Sequence, residues 1–129
     1  MPRLRASATM GSMRRSVVIV DDSPSFLTAA RALLEDEGFR CVGEAADGAG
    51  ALRAIADQRP DVVLLDIGLD GEDGFAIAER IARLPQPPPI VLISSRDAGA
   101  YDRRLATAPV RGFLAKHELS GRALANLLA

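Results

Sequence analysis

Aspartates stand at the ends of apolar runs in this chain. In Asp61-Val-Val-Leu-Leu-Asp66 four apolar residues lead straight into Asp66, and residues 67–74 add three more acids and three glycines. A second run, Ser16–Val20, ends in Asp21-Asp22. Crowded carboxylates repel one another and resist ionising together. Such a concentration is either a solvated turn or a site that uses negative charge, for a cation or for a carboxylate nucleophile. Two further runs end in Ser94-Ser95 and in Lys116. The chain holds fifteen arginines and one lysine, and that lysine is Lys116. A compact ammonium with rotatable donors suits an acidic cluster or an oxyanion.

The elements that must position these residues follow a regular order. Ser16–Val20 predicts a strand. Ser23 is a helix N-cap with Pro24 at the first helical position, and Phe26, Leu27, Ala30, Leu33 and Leu34 repeat at helical spacing until Gly38. Phe39–Ala45 predicts a weaker strand, Ala49–Gln58 a short helix stopped by Pro60, and Asp61–Leu65 a strand. Phe75–Leu84 predicts a helix with Ala76, Ile77, Ile81 and Leu84 on one face. Residues 85–89, a proline-rich connector, lead into the strand Ile90–Ile93. Asp97–Ala106 predicts a polar fourth helix, Arg111–Ala115 a last strand, and Ser120 caps a final helix through Leu128.

Strands without polar alternation indicate a parallel sheet covered on both faces. Five strand–helix pairs with short connections therefore predict an α/β fold, a doubly wound five-stranded parallel sheet. Ligands in such sheets gather outside the carboxyl ends of the strands. All the reactive residue types fall on that edge.

Composition narrows the classes. The 129 residues are enough for one domain with a sizeable core. No apolar run reaches membrane-spanning length, and there is no signal-peptide pattern. The single cysteine, Cys41, excludes an internal disulfide, fits a reducing cytoplasm and reads as a small core residue. Residues 1–15 hold four of the 16 basic residues and no acid, which leaves 12 basic against 17 acidic in the rest, about −5. Residues 1–15 are expected to be a disordered basic arm and residues 16–129 the folded domain. A net charge of −1 gives no sign of direct nucleic-acid binding.

From Ser16 onward the chain resembles the receiver domain of bacterial response regulators. The resemblance is carried by the acidic pair after the first strand, Asp66 closing the third, a hydroxyl after the fourth, and Gly-Phe-Leu-Ala-Lys116 on the fifth. It implies the (βα)5 flavodoxin-like fold and a phosphoacceptor, not an enzyme, that signals in the cytoplasm. The implied phosphoryl donor is a sensor histidine kinase or a histidine phosphotransfer protein, and the implied output is a downstream protein target. By the same resemblance Asp66 is the phosphoacceptor. Asp22, Asp66 and the Gly68 carbonyl bind Mg²⁺, with Asp21 assisting through water. Ser94, beside Ser95, and Lys116 meet the phosphoryl group, and Phe113 is the switch aromatic. The fourth helix, fifth strand and fifth helix carry the response. On this reading the acids after Leu65 stand where a cation and a phosphate meet.

Three positions depart from the family pattern. Asp70 stands where proline is usual, His117 where proline commonly follows the lysine, and Phe113 lacks the hydroxyl of a tyrosine. A trans bond is expected after Lys116. His117 reads as an exposed turn residue and Tyr101 as a half-buried packing residue. Residues 66–77 are no calcium loop, because Gly68 and Ile77 occupy positions that need acids. Gly68 also replaces the second acid of an aspartate-nucleophile phosphatase. Two alternatives stand beside the main reading: a receiver-shaped interaction module without phosphotransfer, and the receiver part of a truncated DNA-binding regulator. The end at Ala129, straight after the fifth helix, leaves no room for a helix-turn-helix domain, so a stand-alone or trimmed receiver is expected.

Overall fold

The computed structural model describes residues 14–129. The basic arm expected over residues 1–15 therefore lies, for residues 1–13, outside the described residues. Arg14 donates to the Phe39 carbonyl at 2.7 Å.

Five strands form one parallel sheet in the order β2-β1-β3-β4-β5. They are β1 Ser16–Val20, β2 Arg40–Ala45, β3 Val62–Asp66, β4 Ile90–Ser94 and β5 Gly112–Ala115. Between them lie α1 Pro24–Asp36, α2 Gly48–Gln58, α3 Gly74–Ala82 and α4 Asp102–Thr107, with α5 Gly121–Leu128 last. The unalternated runs are explained by burial: β1, β3 and β4 are buried at every position. Successive side chains point to opposite faces. Val63 and Leu65 pack under α2 and α3 with Ala51, Ile55, Ile77 and Ile81. Val62 and Leu64 pack on the other face with Ala30 and Leu34 of α1 and Leu124 of α5.

The caps follow the sequence closely. Ser23 accepts the Phe26 N–H at 3.3 Å, and Ser120 accepts the Ala123 N–H at 3.0 Å. Gly38 follows α1 with φ +100, a conformation that favours glycine. The expected elements shift by a residue or two at their ends, which places Asp66 and Ser94 within β3 and β4. Peptide bonds among the described residues are trans, including the one after Lys116. The fourth helix differs more. It begins as a 3₁₀ turn, Ala98–Tyr101, and continues as the six-residue α4. Neither piece has a buried residue, so little apolar packing holds a longer helix together. No helix among the described residues is long and apolar enough to cross a membrane.

Candidate functional site

The connection order turns back between β1 and β3, because β2 lies outside β1 while β3 opens the other half of the sheet. Crevices in doubly wound sheets form at that reversal, beyond the carboxyl ends. Asp21 follows β1, and Asp66 is the last residue of β3. Their neighbourhood is fixed by backbone bonds. The Ile67 N–H donates to the Ile93 carbonyl at 2.9 Å, and the Gly74 N–H to the Ile67 carbonyl at 2.9 Å. A Cβ on Gly74 would lie 2.5 Å from the Asp66 carbonyl oxygen. Only glycine lets α3 start so close to the strand that carries Asp66.

Asp21, Asp22 and Asp66 each offer a carboxylate oxygen, all within 4.8 Å of one another. Asp21 and Asp66 are buried and Asp22 is exposed. Asp21 Oδ1 accepts the Ser23 N–H at 2.8 Å, which ties it to the start of α1. Asp22 Oδ2 accepts the Asp70 N–H at 2.7 Å. A proline at position 70 could not make that bond, so this departure from the family pattern anchors an acidic side chain to the loop. Asp66 Oδ1 accepts the Gly68 N–H at 3.3 Å.

Lys116 reaches this cluster from the end of β5. Its Nζ lies 2.8 Å from Asp21 Oδ2 and 3.7 Å from Asp66 Oδ2. The first contact is a close ion pair with a fully buried carboxylate oxygen. One ammonium thus faces two buried carboxylates while a third stands nearby. The Phe26 ring supports it, with Nζ 4.4 Å from the ring centroid. Burial, then the neighbouring Asp21, raises the Asp66 pKa; Lys116 and the Gly68 amide oppose that rise, and Asp22 adds to it. An all-oxygen set of three converging carboxylates fits a hard divalent cation.

Ser94 closes β4 and is buried. Its Oγ accepts the Arg96 N–H at 3.0 Å and lies 3.0 Å from the Tyr101 hydroxyl. Phe113, half-buried on β5, has its ring centroid 6.0 Å from that of Tyr101. Ser95 is exposed on the turn beyond Ser94. Asp21, Asp66 and Lys116 are the residues the fold brings together.

The other acids of residues 67–74 do not join the cluster. Glu72 accepts the Gly48 N–H at the start of α2 at 2.8 Å. Asp73 caps α3 by accepting the Phe75 N–H at 3.0 Å, and it pairs with Arg104 of α4. The expectation that these acids gather at a cation and a phosphate is therefore corrected: of residues 66–74 Asp66 alone lies in the cluster, and Glu72 and Asp73 cap helices. Sequence reasoning also missed Phe26 under Lys116. It took Tyr101 for packing alone, although an aromatic hydroxyl on a weak helix near Ser94 was a usable signal. His117 is exposed, as expected. Burial pushes the Cys41 thiol up to about 11 and leaves it unreactive.

Comparison with known proteins agrees with this geometry. A family model described as response regulator receiver domain matches residues 17–128. BvgA of Bordetella pertussis, which carries a transcription-regulator name, is 33% identical over 106 residues, 82% of this chain and 51% of its own length. The chain spans about half the length of the curated relatives it matches. The signal receiver domain of NarL from Mycobacterium tuberculosis superposes with a TM-score of 0.76 at 34% identity, covering 90% of this chain and 98% of that one. The BeF3-activated receiver domain of Klebsiella pneumoniae RstA gives 0.73 at 32% identity, covering 88% and 95%.

Proposed function

The chain belongs to the response regulator receiver family of two-component signalling, and on that premise we propose that Asp66 is its phosphoacceptor. The observation that carries the reading is a buried carboxylate at the end of β3, flanked by Asp21 and 3.7 Å from Lys116 Nζ. In the transfer an Asp66 carboxylate oxygen attacks phosphorus. An O–P bond forms and the P–N bond of a phosphohistidine breaks. The imidazole, protonated on its other nitrogen, leaves with the bonding electrons as the neutral ring. With acetyl phosphate the P–O bond breaks and acetate leaves. The product in both cases is an acyl phosphate on Asp66.

The raised pKa of Asp66 supports this role, since a more basic carboxylate is a better nucleophile once ionised. Phosphoryl transfer depends on positioning and charge neutralisation more than on proton transfer. Mg²⁺, the cation receiver domains generally use, supplies that neutralisation when bound, and Asp21, Asp22, Asp66 and the Gly68 carbonyl would hold it. Lys116 meets the incoming phosphoryl oxygens, and Phe26 keeps its ammonium over the site. Ser94 supplies a hydroxyl to the same group, and Phe113 follows it. The chain thereby assists its own phosphorylation and dephosphorylation and is not an enzyme acting on a separate substrate. The donor is a sensor histidine kinase or a histidine phosphotransfer protein, the output a downstream protein, and the compartment the cytoplasm.

A second reading concerns output. Several relatives are about twice as long and carry transcription-regulator names, which favours a receiver that controls a DNA-binding segment elsewhere in a longer protein. Intact mass after incubation with acetyl phosphate and Mg²⁺ tests the core of the proposal. A receiver keeps one added phosphoryl group. A receiver-shaped module without phosphotransfer keeps its mass and leaves the donor intact.

A further inference from the structure

Phe113 has no hydroxyl, yet Ser94 is not without a hydroxyl partner. The Tyr101 Oη lies 3.0 Å from Ser94 Oγ. Tyr101 is the last residue of the 3₁₀ turn and leads directly into α4. Its ring is wedged between Phe75 and Phe113, each centroid 6.0 Å away, at tilts of 51° and 49°. Arg104 of α4 stacks over Phe75 at 4.1 Å and pairs with Asp73 at the start of α3. The only aromatic hydroxyl of the chain therefore joins the end of β4 to a segment with no buried residue.

A serine hydroxyl has one proton and two lone pairs. The Arg96 N–H occupies one lone pair of Ser94, and the bond with Tyr101 uses either the proton or the second lone pair. Ser94 is 4% exposed, so water offers little alternative. Swinging Ser94 Oγ away toward a group on Asp66 would give up both contacts. We propose that Tyr101 is a latch: its hydroxyl holds Ser94 in the resting orientation, and phosphoryl binding at Asp66 wins the Ser94 hydroxyl and frees the Tyr101–α4 segment. The proposal rests on the reading of Asp66 as phosphoacceptor. Tyr101 is a positioning residue here, because it acts through Ser94 and touches no reacting atom.

Apart from the exposed Arg104 contacts with Phe75 and Asp73, little else holds the released segment. No residue of Ala98–Tyr101 or of α4 is buried, and Tyr101 and Leu105 are its main apolar contacts with the core. Losing one net hydrogen bond shifts such a local equilibrium by a few-fold, up to about tenfold. The latch thus opposes activation weakly enough for charge-assisted bonds to a phosphoryl group to overcome it.

Tyr101→Phe keeps the ring and removes only the hydroxyl. Hydrogen exchange of the unphosphorylated protein is the first arm. The latch predicts faster amide exchange across residues 95–107 in Tyr101→Phe, by a few-fold up to about tenfold, with β1 and β3 unchanged. Identical exchange in the two proteins overturns it. The second arm follows acetyl phosphate uptake with Mg²⁺ by intact mass. The variant is expected to take up phosphoryl several-fold faster than wild type, whereas a purely structural tyrosine would leave uptake unchanged or slow it, and either result overturns the latch. If neither protein gains a phosphoryl group, the Asp66 reading fails on its own, and the exchange arm still decides whether Tyr101 restrains the segment. The chain has one tyrosine and no tryptophan, so absorbance in the tyrosine band, beyond the phenylalanine band, reports Tyr101 alone. Beryllofluoride with Mg²⁺ is expected to shift the wild-type tyrosine spectrum toward that of Ser94→Ala without ligand; an unmoved spectrum overturns release.

Discussion

β3 and β5 each deliver one member of the charged cluster, Asp66 and Lys116, yet they are held very differently. β3 is central, with β1 and β4 as neighbours, and is buried at all five positions. β5 is an edge strand buried only at Ala115. The helices beside them repeat the contrast. α3 buries Gly74, Phe75, Ile77, Ala78 and Ile81, while α4 buries none of its six residues. Asp66 thus sits on a well-buried base, and Lys116, which would meet the phosphoryl charge, follows the less buried strand beside the segment that moves cheaply. A receiver needs both: fixed geometry for transfer, and a small energy gap for the response.

The largest expected effect lies in the rigid half. Leu64→Ala removes a fully buried side chain from β3 and should cost about 2–5 kcal/mol in denaturant titrations. Leu105→Ala on α4 should cost under about 1 kcal/mol. Equal losses would break the contrast. Next is Gly74→Ala, whose Cβ would meet backbone at 2.5 Å. It is expected to lose about 1–3 kcal/mol and to slow phosphoryl uptake with it, because the strand carrying Asp66 must shift. Uptake at the wild-type rate would show that the geometry of Asp66 is not set from this side.

Charge gives a smaller, pH-dependent effect. Burial and Asp21 raise the Asp66 pKa, so the folded state binds this proton more tightly than the unfolded state. The group therefore costs stability as pH rises from the unfolded carboxylate value, about 3.9, through the raised folded value. With chelator present, Asp66→Asn should match wild type in acid and become the more stable protein toward neutral pH. Thermal melts across that range check the sign; a variant less stable at neutral pH would mean that the pair with Lys116 outweighs the crowding. The smallest effect is expected from Phe26→Leu, which removes the ring under Lys116 and should cost under about 1 kcal/mol while slowing uptake measurably.

Much of this is legible in the sequence. The unalternated runs of β1, β3 and β4 gave away a sheet covered on both faces, and their ends located Asp21, Asp22, Asp66 and Ser94. Lys116 stood out as the lone lysine. What the sequence could not show are pairings between distant residues. Glu72 caps a helix that begins 24 residues earlier, and Asp22 accepts an amide 48 residues on. Acids used in this way look the same in a sequence as acids gathered around a cation. The break in the fourth helix was hidden for another reason. Residues 97–106 have no strong stop signal, and their failure to form one helix follows from how little of the segment the core covers.

The central claim is that Asp66 alone accepts the phosphoryl group. Borohydride converts an aspartyl phosphate to homoserine, which peptide mass mapping locates to a single residue. After acetyl phosphate and Mg²⁺, the account predicts homoserine at position 66 in the wild type and none anywhere in Asp66→Asn. Homoserine at Asp21, Asp22 or Asp70, or an undiminished yield from the variant, would contradict it.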